Sequence, residues 1–117
     1  MTTLTLCCCI LGTDPYNSFT IDVQENDNVS MLRKAIYEMS PHSFAGIDAH
    51  QLVLWLVNIP LSIDENEQVK ILMHDNIDIK TQLNGVKLLP SRKINKVFSQ
   101  EPDEDYIHVI VECPPGM

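Results

Sequence analysis

The side chains here with chemistry beyond packing are Cys7, Cys8, Cys9 and Cys113, and His42, His50, His74 and His108. Thiolate and imidazole are zinc ligands, and alternate residues of a strand share a face, so Cys7 and Cys9 would present two sulfurs side by side. Structural zinc sites are usually built from Cys-x2–4-Cys pairs; the chain has no such pair and no evident fourth ligand. No metal and no other cofactor is expected. Nucleophilic catalysis needs a thiol or hydroxyl beside a positioned base. Three consecutive cysteines inside an apolar run read instead as small packing residues, all four in the reduced thiol form. His42, His50 and His74 stand among ordinary surface residues. There is no Gly-rich phosphate loop and no Gly-x-Ser-x-Gly. The chain is expected not to be an enzyme.

Charge narrows the partners. Sixteen acidic residues against eight basic give the 117 residues a formal charge of -8. Phosphate binding needs clustered Lys and Arg, so nucleic acid is not an expected partner of this domain. One local exception exists: Lys87, Arg92, Lys93 and Lys96 occur within ten residues without an acid. A solvated helix face is the favoured reading, with phosphate or lipid contact as the alternative.

The elements that position these groups follow from periodicity. A hydrophobic content of 44% suits one globular domain over 1–117. Thr3 to Leu11 reads as a strand. It lacks the basic start and the small-residue cleavage site of a signal peptide. No apolar run approaches the ~18 residues of a membrane span. After the turn formers of 12–17, Phe19, Ile21 and Val23 alternate with Thr20, Asp22 and Gln24, which predicts a half-buried strand over Ser18 to Gln24. Asp27 or Asn28 offers an N-cap to a helix from Val29 to Met39, with Val29, Leu32, Ile36 and Met39 on one stripe. Pro41 ends it. Gln51 to Ile59 predicts a third strand. Leu61 to Asp78 is acid-rich; Ser62 or Asp64 could cap a short helix through Ile71. Asn84-Gly85 is a turn signal, Val86 to Leu89 a short strand, Arg92 to Phe98 a short helix with Ile94 and Val97 inward, and Tyr106 to Glu112 the last strand.

The third strand is apolar on both faces, Leu52, Leu54 and Leu56 on one, Val53, Trp55 and Val57 on the other. One face fills the core; the other needs a second cover. In the last strand, alternation puts Ile107, Val109 and Val111 in the core and Tyr106, His108 and Ile110 outside. In the first, Leu4, Leu6, Cys8 and Ile10 face in, and Thr5, Cys7, Cys9 and Leu11 face out. The outer set Val53, Trp55, Val57, His108 and Ile110 is the candidate binding face, for a protein partner or a second copy. The alternative is that the chain's own insert, Leu61 to Ile79, covers part of it.

The order β-β-α-β-β-short helix-β is that of the ubiquitin-like β-grasp, an α+β fold in which a mixed sheet curls over one main helix. The last third resembles ubiquitin in its Gly turn, its short helix with Arg92 and Ile94, and the strand Tyr106 to Val111. The resemblance implies that the first and last strands are parallel neighbours in mid-sheet, and that the insert after strand three is extra. Two motifs are more specific. Leu52 to Asn58 resembles the Leu-x-Leu-Phe-Leu-Ala-Lys motif in the amino-terminal domain of crinkler effectors, with Leu52, Leu54 and Leu56 in place, Trp55 for Phe, Val57 for Ala and Asn58 for Lys. His108 to Pro114 resembles the family's His-Val-Leu-Val-x-x-Pro through His108, Val109, Val111 and Pro114, with Ile110 for Leu. No counterpart of the Asp-Trp-Leu motif of the oomycete members is present, since Trp55 is the only tryptophan, which favours the fungal type.

In that family the second motif marks the junction to a variable C-terminal domain, which here falls near 114–117. The resemblance implies a non-catalytic amino-terminal domain of an effector that a microbe secretes and that acts in the host cell, in its cytoplasm or nucleus. The competing expectation is a binding adaptor of the ubiquitin-like or PB1 kind without export, pairing Asp103, Glu104 and Asp105 with the basic cluster. The lysine on strand one that PB1 domains carry is absent. Conjugation as a modifier is not expected, since Pro114-Pro115-Gly116-Met117 is not a Gly-Gly tail.

Overall fold

A computed structural model describes residues 3–11, 18–39, 44, 46–60, 78–98 and 106–113. The strands are β1 (Thr3–Ile10), β2 (Phe19–Gln24), β3 (Val53–Pro60), β4 (Val86–Lys87) and β5 (Tyr106–Glu112); the helices are α1 (Val29–Met39), α2 (Ile79–Gln82) and α3 (Ile94–Val97), with one 3-10 turn at Ala49–Gln51. The strands form one sheet in the order β2-β1-β5-β3-β4. β1 and β5 run parallel, Cys8 opposite Val109 and Ile10 opposite Val111; the other pairings are antiparallel. This is the β-grasp order expected from the element sequence, with β5 paired on both sides.

α1 begins where the sequence offers a cap. Asn28 Oδ1 accepts the Met31 N–H at 2.9 Å, and Asp27 Oδ2 accepts the Gln24 N–H at 3.0 Å, closing the turn before it. Val29, Leu32 and Ile36 are buried against the sheet. Met39, expected on the same stripe, is instead exposed in the last turn. α3 is tied to the start of α1 by Val29 N–H to Arg92 O (2.9 Å) and Ile94 N–H to Asp27 O (2.7 Å). Ile94 is fully buried and Val97 packs beside it. Phe44 closes one end of this core, its ring stacked 5.7 Å from that of Tyr37.

The sheet has a core on each face. The first, under α1, takes Leu4, Leu6, Cys8, Leu52, Leu54, Val109 and Val111. The second takes Cys9, Val57, Ile59, Ile79, Leu83, Ile107 and Ile110. Ile107 is a correction: strict alternation assigns it to the first core. Between the pairs Leu56–Val109 and Ile59–Ile107 the chain advances three residues on β3 and two on β5. β3 keeps its alternation through this step, with Trp55, Val57 and Ile59 all at the second core, so the period breaks on β5, and Ile107, paired with Ile59, turns to that face.

Several expectations fall outside the described residues: the turn over 12–17, Pro41, His42, the insert as far as Ile77 with His74 and any helix begun by Ser62 or Asp64, the acids Asp103 to Asp105, and the junction at 114–117 with Pro114.

Candidate functional site

The outer face of the sheet is closed by the chain itself. α2 is capped by Asp78, whose Oδ1 accepts the Lys80 and Thr81 N–H groups. Ile79 and Leu83 are four apart, so both point down from it, and both are buried over β3 and β5. Asn84 then takes a left-handed φ of 55°, which an Asn tolerates, and turns the chain into β4. Gly85 lies so close beneath that a Cβ there would sit 2.6 Å from Ile79 Cγ2, 3.2 Å from the Ile79 carbonyl and 3.3 Å from Trp55 Cε3. A side chain at 85 would therefore lift α2 off the strand.

This corrects the open binding face. Val57 and His108 are 5% and 6% exposed and Ile110 is 0%; Val53 and Trp55 are half-buried. Trp55 packs at the margin of the second core, and its Nε1–H donates to Glu112 Oε1 at 3.0 Å. Among the described residues the cover comes from Ile79 and Leu83, on an element too short to show a helical period.

His108 meets the cysteine strand through a backbone group rather than through thiols. The backbone N–H of Cys7 donates to His108 Nδ1 at 2.9 Å. That bond occupies the Nδ1 lone pair and ties β1 to β5 through a side chain. Cys7 Sγ donates to Ser18 Oγ at 3.3 Å, while Cys8 and Cys9 are buried and turn their thiols to the carbonyls of Leu6 and Ile10. All four cysteines are thiols. Burial, reinforced by Cys7 and Cys9, pushes the Cys8 thiol well above its ordinary range, and burial followed by the Glu112 charge pushes Cys113 up. A thiol held protonated is a packing group rather than a nucleophile. Among the described residues, no three His, Cys, Asp or Glu side chains gather as metal ligands, and no helix is long and apolar enough to cross a membrane.

The family-motif residues divide by role. Leu52, Leu54, Val109 and Val111 belong to the first core and Leu56 packs against it; Trp55 lies at the second. Asn58, in the place of the family's Lys, is exposed where the register of β3 and β5 shifts. The surface whose shape the sequence did not disclose is the basic one. Lys87, Arg92 and Lys96 line a cavity of about 200 Å³ with Leu56, Leu88 and Val97, and Val86 and Leu89 beside it are exposed apolar residues. The clustered charges were its signal.

Comparison with known proteins agrees with the family resemblance. The family described as the Crinkler effector protein N-terminal domain matches residues 4–112. Crinkler effector protein 1 of the fungus Rhizophagus irregularis is 37% identical over 111 residues, covering 95% of this chain and 22% of that protein. Crinkler effector protein 16 of Phytophthora infestans is 29% identical over 117 residues, 98% of this chain and 18% of that one. The chain thus spans about a fifth of the length of these curated relatives. The crystal structure of the ubiquitin-like domain of PLXNC1 superposes with a TM-score of 0.51 at 11% identity, covering 97% of this chain and all of that one. At that identity the likeness shows the fold alone: the α+β, ubiquitin-like β-grasp.

Proposed function

Because the chain belongs to the Crinkler effector protein N-terminal domain family, we propose that it is the non-catalytic delivery domain of a secreted effector, bringing into host cells a separate domain carried behind it. The observation that carries this is the family match over residues 4–112, together with relatives about five times as long that this chain matches over nearly its whole length. A delivery domain of that kind has a folding and recognition task and needs no reacting group of its own. The buried thiols and the backbone-bonded His108 are consistent with that division of labour. The cytoplasm or nucleus of the host is the site of action in this reading.

Protein association is the second part of the proposal. With the outer face covered, a second copy would pair at the sheet edges, β2 and β4, each of which neighbours one strand among the described residues. The adaptor without export differs from this reading in carrying no separate domain behind it. The full-length transcript tests the delivery-domain reading: the reading frame is expected to continue past Pro114 into a sequence with its own core pattern. A transcript that encodes only this domain overturns it.

A further inference from the structure

The chain has eight cationic side chains, and four of them converge on one strip of surface. Lys87, Arg92 and Lys96 rim the larger cavity beside β4. A second cavity, of about 110 Å³, is lined by Arg33, Lys87, Leu52, Leu54 and Leu88. The two share Lys87 and Leu88, so they run together along β4. No carboxylate lines either among the described residues, in a chain whose acids outnumber its bases two to one. The floor is apolar and the rim positive.

β4 adds a third feature. Leu88 N–H donates to Leu54 O at 2.9 Å, and Lys87 stands opposite Trp55. In an antiparallel ladder the residue between two bonded positions turns its N–H and C=O away from the neighbouring strand. Lys87 therefore offers its backbone outward, at the edge of the sheet and between the two cavities.

We propose that this strip is a docking groove for an extended acidic peptide that carries apolar side chains; the proposal rests on the reading of this chain as a protein-binding delivery domain and names its surface. The exposed backbone of Lys87 pairs with the peptide, the apolar floor takes its aliphatic side chains, and Arg33, Lys87, Arg92 and Lys96 face its carboxylates. A flat anionic surface matches less well. The cations surround concave apolar cavities rather than forming the plane that a membrane or a nucleic acid would meet.

The probe is a fluorescein-labelled peptide of alternating Glu and Leu, titrated by anisotropy against the chain. Saturable binding is expected, with amide shifts confined to the β4 and α3 region. Lys87→Glu with Arg92→Glu should weaken it at least about tenfold. Both residues are exposed, so the fold survives, and circular dichroism checks that. Lys34→Glu with Lys80→Glu, which changes net charge equally, should leave affinity within about twofold. Four results overturn the proposal: no saturation by about 1 mM; equal loss in the two double variants; binding to phosphatidylserine vesicles or a DNA duplex but not to the peptide; or a wild-type dimer that the groove variant abolishes and that excludes the peptide, which would make a second copy the occupant. Peptide binding is read without delivery, so failure here leaves the delivery-domain reading standing, and a transcript that ends at this domain leaves the groove standing.

Discussion

Ile110→Asp is expected to unfold the domain. Ile110 is fully buried, paired with Trp55 on β3 and with Cys9 on β1, at the middle of the second core. A carboxylate there has no cation to meet among the residues of that core and must stay protonated or drag water in, at a cost of several kcal/mol. The lost aliphatic packing adds about 2–5 kcal/mol. Together these approach the whole stability of a small domain, about 5–15 kcal/mol. The variant should lack a cooperative thermal transition in circular dichroism. Val86→Asp, on an exposed position of β4, should melt within a few degrees of the wild type. A folded Ile110→Asp would mean that the outer face is open and that α2 does not seal it.

The second large effect lies on the other side of the sheet. Leu32 is fully buried between Val29 and Ile36 on α1 and packs on the first core. Leu32→Ala removes side-chain carbons that the close-packed sheet cannot replace, and should cost roughly 2–5 kcal/mol. In urea the midpoint should fall with the slope unchanged, since the surface exposed on unfolding is nearly the same. A loss below about 0.5 kcal/mol, the size of an ordinary surface substitution, would place the core elsewhere.

Much of this architecture was legible in the residues. Alternation over Phe19 to Gln24, the Val29–Leu32–Ile36 stripe and the order of elements were enough for the β-grasp. The Leu52 to Asn58 and His108 to Pro114 motifs were enough for the family. Three things were not legible, each for a physical reason. Ile107 changes faces because β5 breaks its own two-residue period where its register with β3 shifts, and its run of apolar residues carries no mark of that break. The described part of the cover over the outer face is a single helical turn, too short for a period; its marks were Asp78 as a cap, Ile79 and Leu83 four apart, and Asn84-Gly85 as a stop. Alternation placed His108 on the outer face, but its partner is a backbone N–H that no side-chain pattern announces. The basic cluster was visible as charge, but its apolar floor comes from β3 and α3, which only the fold brings to β4.

Delivery itself is measured most directly with an enzyme reporter that signals only in host cytosol, such as a calmodulin-dependent adenylate cyclase, fused behind this domain and expressed in the producing microbe. Cyclic AMP in the host should rise with the domain–reporter fusion, stay at background with the reporter alone, and fall to background when residues 1–117 are removed from a full-length effector carrying the same reporter. A signal that persists without this domain, or that fails to appear with it, would contradict the reading of the chain as a delivery domain.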